Sequence, residues 1–305
     1  MLNSNRSRRE FLADVPALAA AAFMQAPSSA EPILDIHQHI LYSGRTPEQT
    51  LAHQMHYGIK TTVLLPGAGW LVAVAGTNRD ATVFQAQHAD RFVTFASSDP
   101  AESRTVDVLR GHLKRGAIGI GEMKFHVAVD SPEMHRVYKL AEELGVPVLI
   151  HFEHEMYNTG IERFDKVLKA YPKVRFIGHA QTWWGNISAD LNPMDMYPKG
   201  PVKKGGLTDR LLSDYPNIYG DLSAGSGLNA ITRDSDFARG FVERHTRKLI
   251  WGSDCDCRDG KGGGIKSGRC LAEQSLAALR TLVPNQTALK RILYENGAEL
   301  LHLRK

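Results

Sequence analysis

The segment ILDIHQHI, Ile33 to Ile40, sets His37 and His39 two positions apart in an apolar run. A strand repeats its side-chain direction every second residue, so both imidazoles would share one face. Strict alternation also puts Asp35 on that face, with Leu34, Ile36 and Gln38 on the other. Burying two imidazoles is costly unless each finds a partner. Candidate partners recur at the ends of later apolar runs. VPVLIH ends at His151, KVRFIGH at His179 and RKLIWGSD at Asp254, while Glu122 lies inside AIGIGEMKF, two residues from Lys124. With 13 histidines in 305 residues, a single His-x-His pair is close to chance. Recurrence at the ends of separate strands is not. Neutral imidazoles with a carboxylate form a ligand set for zinc, manganese or iron.

The elements that would position these residues alternate along the chain. Short apolar or β-branched runs begin near Ile33, Thr61, Arg91, Ala117, Val146, Lys173, Asn217 and Arg247. Helix-like segments separate them. Thr46, Pro47 and Glu48 mark a helix start, SPEMHRVYKLAEELG reads as a capped helix ending at Gly145, and further helices are expected over 271–282 and 288–303. Short, nearly uninterrupted apolar strands suit a parallel sheet covered on both faces. Eight strand–helix units fit an α/β fold of the (β/α)8 TIM-barrel type, as a single domain without a flanking β-sandwich. A doubly wound open sheet is the alternative. In a barrel, strand C-termini converge on one mouth, where His37, His39, His151, His179 and Asp254 would meet.

Taken in order, DIHQH, the strand-end His151, IGHAQ and WGSD resemble the amidohydrolase superfamily of metal-dependent barrel hydrolases. The nearer likeness is to its compact amidohydrolase-related (amidohydrolase 2) branch, and ILYENGAELL is similar to that family's closing helix. The resemblance implies His37, His39, His151, His179 and Asp254 as metal-site residues. GEMK resembles the fourth-strand segment that supplies a bridging Glu in some members and a carboxylated Lys in others. Glu122 is the candidate for that role, with Lys124 second. The resemblance also implies that Asp254 takes a proton from attacking water and passes it to the leaving group. His37 and His39 would hold one ion with Asp254. His151 and His179 would complete a second ion site, or bind substrate if there is one ion.

A divalent ion lowers the pKa of bound water toward neutrality and polarises a carbonyl. The cofactor expected is one or two divalent metal ions, zinc first, with manganese or iron as alternatives. The reaction expected is hydrolysis of an amide, lactone or ester-type bond in a small molecule. The first alternative is a mononuclear decarboxylase of the same family, in which Lys124 or Arg258 would grip a substrate carboxylate. The second is a barrel that binds without turnover. Lys124, His126, His154, Tyr157, Trp183 and Trp184 are candidates for the substrate pocket, since the loops that follow barrel strands line the mouth. Trp70 and Asp221 sit in similar positions, whereas His53 and His56 read as surface residues of a helix.

The chain is 43% apolar and 23% charged with a net charge of +4 and no long basic run, which allows a sizeable core and does not indicate a nucleic-acid or polybasic membrane surface. Residues 1–30 read differently. Arg8 and Arg9 precede Phe11 and Leu12, ALAAAAF follows, and PSSA ends at Ala30. This order resembles a twin-arginine export signal. The expected partner is that export machinery, and the expected location is periplasmic or secreted. The apolar run is too short for a stable membrane anchor. The barrel would occupy 31–305. A homo-oligomer is compatible with the sequence. Cys255, Cys257 and Cys270 are an odd set. A disulfide between Cys257 and Cys270 would close the Gly-rich segment between them, and three reduced cysteines are equally compatible. CDC alone is too short for a structural zinc site, which needs four ligands at longer spacings.

Overall fold

The computed structural model describes residues 31–265 and 267–303. The export segment inferred from Arg8 and Arg9 lies outside the described residues. Eight strands follow in order: β1 (Ile33–Gln38), β2 (Ile59–Leu64), β3 (Phe92–Thr94), β4 (Ile120–Met123), β5 (Val148–His151), β6 (Phe176–His179), β7 (Ile218–Asp221) and β8 (Leu249–Ile250). All pair in parallel, in one run from β1 to β3 and another from β4 to β8. Backbone hydrogen bonds cross both seams. Ile118 N–H donates to Thr94 O (2.8 Å) and Gly121 N–H to Ala96 O (2.9 Å) between β3 and β4. Ile36 N–H donates to Trp251 O (3.3 Å) and Asp254 N–H to His37 O (2.8 Å) between β1 and the end of β8. The result is an α/β TIM barrel.

Two apolar layers follow from strand alternation. Leu34, Ile36, Val63, Leu149, Ile177 and Ile250 fill the interior. Ile120, Val148, Phe176, Ile218 and Leu249 face outward and pack under helices through Val137, Leu211, Phe241 and Leu276. The helices begin where the caps predict. Thr46 accepts from Gln49 N–H at the start of Pro47–His56, and Ser131 from Met134 N–H at the start of Pro132–Leu144, which Gly145 closes in the left-handed region.

One helix contact carries a pH prediction. Asp209, on helix Leu207–Asp214, accepts from His245 Nε2 (2.6 Å) and Arg244 Nη2 (2.7 Å) on helix Ser235–His245. Burial pushes the Asp209 carboxyl up, but these two donors hold it below the ordinary carboxylate range. A carboxylate with a depressed folded-state pKa stabilises above its unfolded value, about 3.9, and that contribution is lost as pH falls through the folded value. Asp209→Asn should therefore cost about 1–2 kcal/mol at pH 7, and the gap should narrow as pH falls below the ordinary carboxylate range. Urea midpoints at neutral and acid pH check this. A gap unchanged by pH would remove the charge from the explanation.

Strict alternation fails in β1. Leu34 and Ile36, expected on the face away from the histidines, line the barrel interior instead. Asp35 does not share a face with the histidines, because it turns to helix Pro47–His56 and accepts from Gln54 Nε2 (2.9 Å) and Ser253 Oγ (2.5 Å). The pairing register with β2 shifts between Asp35 and Gln38. Such an irregularity re-aims the side chains beyond it. His37 and His39 reach the mouth past this shift.

Candidate metal centre

His37, His39, Glu122, His151 and His179 are buried at the strand ends, and Asp254 keeps only 11% of its side chain exposed. The structure brings all six together. His37 Nε2 lies 3.9 Å from Glu122 Oε2 and 3.8 Å from Asp254 Oδ1. His39 Nε2 lies 3.6 Å from each of those oxygens. His179 Nε2 lies 3.8 Å from Glu122 Oε1 and 3.8 Å from Asp254 Oδ2. These gaps are too long for hydrogen bonds. They approach the spacing of about 3–4 Å between donors that surround one ion at about 2.0–2.2 Å. His37 Nε2 and Asp254 Oδ1 are also buried without a hydrogen-bond partner among the described residues. Two orphaned electron-pair donors around one point fit a bound cation.

The far nitrogens are fixed by partners that sequence reading weighted little. Asp221 is fully buried at the end of β7. Its Oδ2 faces His37 Nδ1 at 2.7 Å and His179 Nδ1 at 3.2 Å. Ser223 donates to Asp221 through both its N–H and its hydroxyl, each at 2.9 Å. His39 Nδ1 faces the carbonyl of Leu65 at 2.7 Å. With Nδ1 occupied as donor, each Nε2 keeps its lone pair for an ion. The position of Asp221 after IYG, near the end of the seventh strand, is the signal that marks it in the sequence as a candidate outer-shell or substrate group.

Burial disfavours charge on His37, but Asp254, Asp221 and Glu122 overcome it and raise its pKa to about 10. Burial and the neighbouring His37 charge hold His39 down to about 3 and His179 to about 4. Burial acts against the Glu122 carboxylate, yet His151 and His37 hold it well below its ordinary value. Without an ion these carboxylates favour a proton on His37, and a cation bound at Nε2 would take the place of that proton.

His151 forms a candidate ligand group with Glu122 and His179, one donor atom of each lying within 4.8 Å of the others. Its Nδ1 lies 2.5 Å from Glu122 Oε1 and its Nε2 3.0 Å from Glu153 Oε2. Glu153 was missed because no local pattern distinguishes it from a loop acid. Glu122 does not turn to Lys124 as two-residue spacing suggests, since the β4–β5 register shifts between Ile120 and Met123. The Lys124 ammonium instead lies 5.6 Å from the Trp70 ring centroid and 5.4 Å from that of Tyr157.

The mouth beside His151 is walled by Tyr157, whose ring stacks on Trp70 at 5.7 Å and meets His126 at 4.7 Å. His154 is exposed near Glu155. It lines a groove of about 270 Å3 with Glu153, Met156, Gln181 and Met194. Trp183 and Trp184 do not line the mouth, because both are buried in the core. Trp183 packs on Phe152 and against the back of Gly178, where a Cβ would come within 2.5 Å of its ring. Trp184 donates from Nε1 to the Asp221 carbonyl at 2.8 Å and so braces β7 from outside. Tyr42 was also missed. Its ring meets His39 at 5.0 Å, and the charge of Asp254, together with burial, pushes its phenol far up.

No curated protein matches this chain. Solved structures share its fold at low identity. An uncharacterized TIM-barrel protein from Bordetella bronchiseptica is 16% identical with a TM-score of 0.64, covering 89% of this chain and 98% of that one. A probable 2-pyrone-4,6-dicarboxylic acid hydrolase from Acinetobacter baumannii, with citric acid bound, is 15% identical with a TM-score of 0.61, covering 89% and 99%. A dihydroxybenzoic acid decarboxylase from Polaromonas, with bound manganese and an inhibitor, is 14% identical with a TM-score of 0.52, covering 85% and 86%. A family model described as amidohydrolase matches residues 35–303, from the first strand to the last described residue, and the chain belongs to the amidohydrolase family.

Proposed function

We propose that this protein is a hydrolase that opens an amide, lactone or ester-type bond in a small molecule carrying a carboxylate. Family membership makes it a metal-dependent enzyme. The observation that carries the hydrolytic reading is Asp254. Its Oδ1 is buried and without a hydrogen-bond partner among the described residues, 3.6 Å from His39 Nε2 and 3.8 Å from His37 Nε2. Burial, reinforced by Glu122 against the opposing pull of His37, raises its carboxyl in the absence of an ion. A carboxylate beside a bound cation and an activated water is placed to accept and return a proton.

His37, His39, His179, Glu122 and Asp254 would hold the ion. The ion, when bound, supplies an activated water and a polarised carbonyl. Asp254 accepts the water proton and delivers it to the leaving group. His151, held between Glu122 and Glu153, faces the growing charge on the substrate. Lys124 meets the substrate carboxylate above the Trp70–Tyr157 stack, which seats a flat ring. Zinc, manganese and iron all suit this donor set, and zinc is the first choice. The reading extends to export, on the order of Arg8, Arg9 and ALAAAAF in the first thirty residues.

Lys124 also favours a second reading, a decarboxylase, because a cation at the mouth can hold a carboxylate that is to leave. The test incubates metal-replete protein with lactones, esters, amides and aromatic carboxylic acids in 18O-labelled water. Label in a new carboxyl group is the expected result. Carbon dioxide release without label would replace the hydrolase with the lyase.

A further inference from the structure

His53 is not a surface residue. It is fully buried, and its Nε2 lies 3.4 Å from Cys270 Sγ. Cys255 Sγ lies 3.6 Å from the same sulfur. One donor atom each from His53, Cys257 and Cys270 fall within 4.8 Å of one another. All three cysteines are buried and free. We propose that His53, Cys257 and Cys270 form a second metal site, for zinc, with Cys255 beside Cys270 as the nearest fourth donor, and that it shares no ligand with the site at the barrel mouth.

The spacing fits zinc. Tetrahedral bonds of about 2.3 Å to sulfur and about 2.0–2.1 Å to nitrogen put two sulfurs about 3.8 Å apart and a nitrogen about 3.6 Å from a sulfur. The observed separations are 3.6 Å and 3.4 Å. A disulfide would need about 2.05 Å.

Neighbours prepare the donors. His53 Nδ1 faces Gln54 Oε1 at 2.8 Å. Gln54 Nε2 is already committed to Asp35 and Thr62, so Gln54 presents oxygen and His53 Nδ1 carries the proton. The lone pair is then on Nε2, toward the sulfurs. Gly262 N–H donates to Cys257 Sγ at 2.9 Å, and the Cys257 thiol donates to Asp259 Oδ1 at 3.3 Å, a proton that a bound ion would displace.

Arg45, only 1% exposed, fixes the backbone of the cysteine loop. Its guanidinium donates to Cys255 O (2.8 Å), Cys257 O (3.1 Å), Gln38 Oε1 (2.6 Å) and His39 O (2.9 Å). Asp35 and Asp256 supply the nearby negative charge that a buried guanidinium needs.

The centre would tie the glycine-rich segment between Cys257 and Cys270 to helix Pro47–His56. Cys255 directly follows Asp254, so the same tie would hold the loop that presents the proton-transfer carboxylate.

Cobalt tests this, because the mouth site offers no sulfur. The full chain loaded with Co2+ should show sulfur-to-cobalt charge-transfer absorption in the near ultraviolet. The double variant His37→Asn/His39→Asn should keep that band, while Cys257→Ser should weaken it and lose one zinc ion per chain. A cobalt-loaded chain without the band would overturn the proposal. So would titration of the unreduced, denatured protein that counts one thiol instead of three, since that would mean a disulfide. Both overturning measurements use the unsubstituted chain, so they hold even if Cys257→Ser fails to fold.

Discussion

Asp254→Asn should lower kcat by about 10²–10⁴-fold, the range expected on loss of a general acid–base group. Asparagine keeps the volume of the side chain and one oxygen, but it cannot accept and return a proton. The backbone argues for this substitution over alanine. Asp254 sits at φ 42°, in the left-handed region that Asn and Asp occupy more readily than other side chains. Its N–H donates to His37 O at 2.8 Å, so a backbone shift there would disturb the first histidine as well. The fold should survive, because the carboxyl oxygen lost, Oδ1, has no hydrogen-bond partner to leave behind among the described residues. Rates should be compared at saturating metal, since an amide is a weaker ligand than a carboxylate. A kcat within a few-fold of the unsubstituted enzyme would remove Asp254 from proton transfer.

The second large effect is expected at a residue that touches neither water nor substrate. Asp221→Ala should weaken metal binding by about 10–100-fold, the usual consequence of removing the group that orients a ligating histidine. Asp221 fixes two rings at once, through His37 Nδ1 at 2.7 Å and His179 Nδ1 at 3.2 Å. Without it, both rings can turn and either nitrogen can carry the proton. Asp221→Asn should do comparable harm for a different reason. An amide N–H aimed at Nδ1 would force the proton onto Nε2, the nitrogen an ion needs. Competition with a chromophoric chelator measures the affinity. Unchanged affinity in both variants would mean that packing alone holds the histidines. The count of ions per chain should be read on variants of each site, because two ions per chain could otherwise be mistaken for a paired centre at the mouth.

Much of the fold was legible because it depends on local pattern. Apolar runs such as VPVLIH and KVRFIGH must be covered on both faces, and alternation with capped helices supplies that cover. The same logic puts His151, His179 and Asp254 at strand ends, so the sequence by itself determined that polar residues of these types would converge. What it did not contain was the direction of each side chain after an irregularity. The register shift in β1 separates Asp35 from His37, and the shift in β4 separates Glu122 from Lys124. Period-two reasoning cannot anticipate either. Trp183 and Trp184 read as loop aromatics, but Gly178 and Gly220 leave space for them against the strand backs. His53 read as a surface residue, yet it meets Cys270 across 217 positions of sequence. Only the tertiary structure decided these points, because the partners belong to distant segments and no local periodicity encodes where two distant segments touch.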